Sequence, residues 1–306
     1  MLKQTQPHWM PNDSVVAPRG MEMVTSKTDE PRRTGKRFGW LSLSITAVVS
    51  FVVGCVATFI VIRFYLEEAT IATETERVTK TAEASDVAKA LELIQVAKER
   101  FDLIQDYKCI FLRDEFIDGE WNKNILNLKV RHAPFSVQME WLAPPIKKDR
   151  KVAYIEGKNN GKMLVKQLLT LKLDPQESVR RKESRHTILE AGLKNMINRY
   201  ANSWEKEMRM NSTKVTIEER EEKVSIQGHD YVHNCIVVTT THDPSMRQQF
   251  QYSKARVYFD RSTGLPFRSE GYDWPAPGQA AGVLLERFTY LDLRTNLGLK
   301  DKDFEF

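Results

Sequence analysis

With 306 residues, 41% hydrophobic and 28% charged side chains, and only 14 Gly and 12 Pro, the chain can bury the core of one or two domains and is neither collagen-like nor low-complexity. Three cysteines are too few for a disulfide scaffold or a Cys-rich metal module. The net charge of +5 comes mostly from the amino-terminal 63 residues, and the near-neutral remainder argues against nucleic acid as a partner.

Residues 1–37 hold Pro7, Pro11, Pro18 and Pro31, few apolar side chains and no periodicity, which predicts a disordered basic tail. From Phe38 to Ile62 no charge occurs over 25 residues. As a helix at 1.5 Å per residue that run spans about 37 Å, enough to cross a bilayer, so 38–63 reads as a single transmembrane helix. Arg32, Arg33, Lys36 and Arg37 crowd its amino end, whereas Arg63 is followed by Glu67 and Glu68. The asymmetry predicts a cytoplasmic amino terminus, an inner-membrane anchor and an extracytoplasmic body. Small residues before Cys55 also match a lipoprotein signal, so lipidation of Cys55 stays open, although the apolar run continues past it. Residues 64–84, rich in Thr, Glu and Ala, read as a solvated stalk.

The extracytoplasmic domain, 85–306, begins with a helix whose apolar positions Val87, Ala90, Leu91, Ile94, Ala97, Phe101 and Ile104 keep three/four spacing. Strand segments follow. Tyr107–Ile117 ends at Asp118-Gly119, a tight-hairpin signal, and Leu126, Leu128 and Val130 alternate with polar residues on the return. Phe135, Val137, Met139 and Trp141 alternate in the next strand, which Pro144-Pro145 stops. Gly157–Gly161 turns between two further strands. Thr187 and Glu190 form a capping box, predicting a helix with the stripe Leu189, Leu193, Met196, Ile197, Tyr200 and Trp204. Lys214–Ile226, Tyr231–Thr241, Ala255–Asp260, Leu265–Tyr272 and Val283–Leu293 complete the strands. These strand segments with two main helices predict an α+β fold: a curved antiparallel sheet, an incomplete barrel, covered by helices on one face only.

Catalytic patterns are missing from the sequence: no H-E-x-x-H, G-x-S-x-G or dinucleotide glycine fingerprint occurs. Gly157-Lys-Asn-Asn-Gly161-Lys162 lacks the Ser/Thr of a phosphate loop and sits between strands. His229 and His233 share a strand face, but Gly228-His229-Asp230 reads as a turn that puts His229 at the rim, so no metal site and no cofactor are expected. The expectation is a protein that is not an enzyme.

Taken together, YKCIFLRDEFIDG (107–119), HAPFSVQMEWLAPP (132–145), YIEGKNNGKML (154–164), LKLDP (171–175), RHTILEAGL (185–193), VYFDRSTGLPFRSEGYDWP (257–275) and LERFTYLDLRTNLGLKDKDF (285–304) resemble the bacterial domain-of-unknown-function family 1571 in the family's own order. That family is similar in architecture to LolA/LolB-type lipoprotein carriers, which implies an incomplete barrel with helices in its mouth and an acyl-chain cavity between. The resemblance lends no activity, since the family has none established.

Two readings of function remain. One is a membrane-anchored binding module for a lipid, lipoprotein acyl chain or other apolar envelope ligand, with Phe135, Val137, Met139, Trp141 and Trp204 as the candidate cavity wall. The other is a structural or interaction protein of the envelope, in which the same side chains are ordinary core. Besides the bilayer, no specific protein partner is indicated. Cys109 shares a strand face with Tyr107 and Phe111, and Cys235 with His233 and Val237. Outside the cytoplasm, where disulfides persist, the expectation is a Cys109–Cys235 disulfide, the alternative being two separate buried thiols.

Overall fold

The computed structural model describes residues 86–210 and 213–306. The tail, the 38–63 run, the stalk and Cys55 lie outside the described residues. Among those described, no helix is long and apolar enough to cross a membrane.

Helix α1, residues 86–102, buries Val87, Ala90, Ile94, Ala97 and Phe101, one stripe at helical spacing. Its two fully buried alanines let the helix lie close to the sheet. Strands β1 (Asp106–Ile117), β2 (Glu120–Arg131), β3 (Ser136–Ala143), β4 (Lys151–Ile155), β5 (Met163–Lys166) and β6 (Thr170–Leu173) then meander outward, each antiparallel to the last. A short helix α2 (Glu177–Arg180) and the long helix α3 (Leu193–Met210) carry the chain across. Strands β7 (Thr213–Ile226), β8 (His229–His242), β9 (Lys254–Asp260), β10 (Pro266–Tyr272) and β11 (Leu284–Thr295) return, and β11 pairs with β1. The result is an α+β domain with one open, eleven-stranded antiparallel sheet that has β6 and β7 at its free edges.

The expected architecture holds, with three differences. The sheet has one strand more than the sequence segments, because Thr170–Leu173, whose Thr-Leu-Lys-Leu alternation is only four residues long and largely exposed, pairs as β6. The Thr187/Glu190 capping box is formed, but it caps only a 3-10 turn, Ile188–Glu190. Helix α3 starts three residues later because Gly192 takes a φ of +101° and the Leu193 N–H donates to the Tyr107 hydroxyl at 2.9 Å. A Cβ at position 192 would stand 2.5 Å from that hydroxyl, so glycine is required there twice over. Leu189 is consequently left exposed rather than in the α3 stripe.

The outer face is not wholly solvated either. The main core joins α1 and α3 to the inner face through Leu126, Leu128, Val137, Val257 and Phe259. A second, smaller cluster gathers Cys235, Val237, Tyr258, Phe267 and Leu291. Near β2 the carboxyl-terminal 3-10 turn, Asp301–Phe304, buries Phe304 beneath Arg131, whose guanidinium lies 5.3 Å from the ring.

This two-faced packing corrects the disulfide expectation. Cys109 and Cys235 are both free and buried. Cys109 belongs to the main core and Cys235 to the second cluster. Strands β1 and β8 are four steps apart in the sheet, about 19 Å at 4.7–4.9 Å per strand, far beyond the ~7 Å limit for a bridge. Burial raises both thiols; Cys235, with Glu222 adding to the effect, is pushed up to about 11, so neither is a ready thiolate. Maleimide labelling in denaturant without reductant, followed by peptide mapping, will find both residues modified. A linked Cys109–Cys235 peptide would contradict this packing.

Candidate functional site

Between the inner face of one half of the sheet and the segment that crosses it lies a cavity of about 320 Å³. The strands supply an apolar wall because alternate residues point inward: Phe111 from β1, Met139 from β3, Val152 from β4, Met163 and Val165 from β5, and Tyr290 from β11. Phe111 and Tyr290 stack at 4.7 Å between ring centres, which fixes both aromatic faces of the wall. Ile188, Gly192 and Met196, from the 3-10 turn and the first turn of α3, close the cavity from the other side.

The alternation carries charge inward at one end of the same strands. In β1 the inward series Tyr107, Cys109, Phe111 continues as Arg113 and Glu115; Glu115 is fully buried. Glu115 accepts from the Ser184 hydroxyl at 3.1 Å and the Arg185 N–H at 2.9 Å, and its other oxygen lies 3.4 Å from Arg113 Nε. In β11, Glu286 sits in register with Phe288 and Tyr290 and is 2% exposed. It bonds His186 Nε2 at 2.7 Å, the Tyr252 hydroxyl at 2.6 Å and Arg199 Nη1 at 3.2 Å. Burial alone would raise the Glu286 carboxyl, but the His186 bond, the Arg199 charge and the Tyr252 hydroxyl hold it down at about 2.

Glu115, His186 and Glu286 bring ligand-type atoms within 4.8 Å of one another. Their surroundings are those of a structural ion network: Arg113 faces Glu115, and Arg185 and Arg199 face Glu286. Guanidiniums so placed repel a divalent cation from the space the carboxylates would share. His229 is exposed at the β7–β8 turn, while His233 bonds Asp260 at 2.7 Å and stacks on Phe267.

The five side chains singled out from sequence separate. Met139 and Trp141 line the cavity. Val137 shares their face but is wholly enclosed in the core, and Phe135 is partly buried against Tyr154. Trp204, 1% exposed, packs between Tyr200 and Phe259, away from the cavity lining. Arg113, Arg150, His186 and Arg199 also line the space, and periodicity aimed only at apolar positions overlooks them. The overlooked signal was a charged residue in inward register, as Arg113 is after Phe111 and Glu286 is before Phe288.

Several solved structures resemble the fold distantly. The lipoprotein LppX of Mycobacterium tuberculosis is 11% identical, with 69% of this chain and 97% of that one covered, at a TM-score of 0.38. A putative outer membrane lipoprotein-sorting protein domain from Vibrio parahaemolyticus is 13% identical over 72% and 97% of the two chains, at 0.32. A LolA superfamily protein from Nitrosomonas europaea is 12% identical over 69% and 97%, at 0.30. Likeness this distant says nothing about what the present chain binds. No curated protein matches it in sequence. The family model described as "Protein of unknown function (DUF1571)" matches residues 104–306, from just before β1 to the last residue, and the chain belongs to that family.

Proposed function

We propose that this chain is a membrane-anchored, extracytoplasmic module that binds, rather than transforms, an apolar envelope ligand such as a lipid or a lipoprotein acyl chain. The observation that carries the reading is the cavity itself: about 320 Å³ of space with an aliphatic and aromatic strand wall. A volume at the lower end of the usual ~300–1,000 Å³ range for ligand sites is large for a void in a packed interior. The uncharged run 38–62 and its basic amino-terminal flank support anchorage with the body outside the cytoplasm.

Organic extraction of the purified full chain followed by mass spectrometry should recover acyl-chain species in near-stoichiometric amount. Replacing Met139 by Trp places an indole in the space the ligand would occupy. Uptake of a fluorescent fatty acid should fall at least several-fold while the unfolding midpoint changes little, since the larger ring enters existing space. Unchanged uptake would remove the strand wall from the binding site. A large loss of stability would show the position to be tight core, where overpacking costs about 1–3 kcal/mol.

A further inference from the structure

One end of the cavity is built differently from the rest. Arg113 and Arg150 both line it, and their guanidinium carbons lie 5.7 Å and 5.2 Å from the Trp141 ring. Trp141 is itself held by its Nε1, which donates to Asn124 Oδ1 at 2.9 Å. The indole therefore braces two guanidiniums in place. Lys147, just outside the lining, adds a third cation, and among the described residues its Nζ reaches only neutral amide oxygens, on Asn122 at 3.0 Å and Asn124 at 3.4 Å.

Two carboxylates stand against these three cations. Glu183 accepts from Arg150 Nη2 at 2.8 Å. Glu115 approaches Arg113 only at Nε, 3.4 Å away, and spends its other oxygen on Ser184 and Arg185. Among the described residues Arg113 has no other ionic contact, its Nε makes no hydrogen bond, and its side chain is 12% exposed. Arg150 Nε is likewise buried without a partner. Burial lowers the Arg113 and Lys147 pKa values, and the charge of Arg150 pushes the same way in both. Within this cluster the cations outnumber the carboxylates by one, while the rest of the lining also carries Glu177, Glu190, Arg181 and Arg199.

We propose that Arg113 and Arg150 form a head-group subsite and that the cavity's occupant is an anionic amphiphile, an alkyl chain ending in a carboxylate or phosphate. The planar donors of two arginines suit the paired oxygens of either group, and the neutralised charge offsets the cost of burying them. Phe111, Met139, Val152 and Val165 beside the subsite then take the chain. The proposal rests on the apolar-ligand reading and adds the polarity of the ligand's end.

Equilibrium dialysis of the full chain in amphipol at pH 7.5 separates the two. Dodecanoate, dodecyl phosphate and dodecanol share a chain length and differ in charge. The two anions should bind at least about tenfold more tightly than the alcohol, the contribution of one charge-assisted hydrogen-bonded pair. Arg113→Gln and, separately, Arg150→Gln should each erase most of that preference, read as the ratio of anion to dodecanol affinity within the same variant. Thermal unfolding of each variant establishes that it is folded, and Arg150→Gln leaves the buried Arg113–Glu115 contact in place. Equal binding of all three ligands would overturn the head-group subsite while sparing the apolar cavity. Binding of none would overturn the reading of the cavity itself. Displacement of dodecanoate by millimolar inorganic phosphate would mark a simple anion site, and undiminished preference in both variants would take the role from these arginines; either result sinks the proposal.

Discussion

Replacing Glu286 by Ala is expected to destabilise the domain by about 3–5 kcal/mol, measured as the loss in urea-denaturation free energy of the full chain. Glu286 is 2% exposed and is the common acceptor for His186, Tyr252 and Arg199. Removing it leaves the half-buried Arg199 guanidinium without a carboxylate and the buried Tyr252 hydroxyl without an acceptor, and each orphan costs its own desolvation. Glu286→Gln keeps the shape and part of the hydrogen bonding, so its loss should be smaller.

The same network sets a pH window. The folded Glu286 carboxyl titrates at about 2, below its ordinary 4.5, so the stability it contributes is complete above pH 4.5 and is lost as pH falls toward 2. His186 runs the other way. Burial alone would lower it, but the Glu286 bond and charge outweigh burial and raise it above 6.5. Its contribution is complete below pH 6.5 and fades as pH climbs through the folded value. The pair therefore stabilises most between about pH 4.5 and 6.5. Subtracting the Glu286→Gln stability curve from that of the unaltered chain should give a maximum in that window; a flat difference would show that His186 and Glu286 do not share the proton balance described.

Trp204→Ala is the second large effect, expected to cost about 3–5 kcal/mol. The indole is 1% exposed, packs between Tyr200 and Phe259 at 5.9 Å and 6.2 Å, and its Nε1 has no hydrogen-bond partner among the described residues. Its contribution is therefore packing: burial of a large apolar surface plus the void its removal leaves. Trp204→Phe should recover a good part of the loss. Folded Trp204→Ala protein, at low temperature and without denaturant, should take up fatty acid as the unaltered chain does. Uptake that fell in step with Met139→Trp would return Trp204 to the ligand site.

These contrasts show how much of the molecule local sequence could reveal. The inner-face residues of β1, β2 and β3 were legible because a sheet covered by helices must alternate apolar with polar side chains, and Leu126, Leu128 and Val130 do so. The stripe on α1 and most of that on α3 were legible for the same reason at a different period. Alternation reports which way a side chain points; it does not report what stands opposite. Phe135, Val137, Met139 and Trp141 obey one pattern, yet Val137 meets the core and Met139 and Trp141 meet open space, because the crossing segment leaves the sheet over only part of its width.

What the amino-acid sequence determined by itself was therefore the local period: where helices and strands run, which face of each is apolar, and that 38–62 is uncharged over a bilayer's length. The tertiary structure alone decided the rest. Cys109 and Cys235 both read as inward on the strand pattern, but four strand spacings and the thickness of the sheet separate them. Arg113 and Arg150 lie 37 residues apart in the chain and come together on Trp141 only because β2 and β3 bring that indole beside β1 and the β3–β4 turn places Arg150 next to it. Pairing between distant segments is set by the summed burial of a whole sheet, and no window of sequence short enough to show periodicity contains that sum.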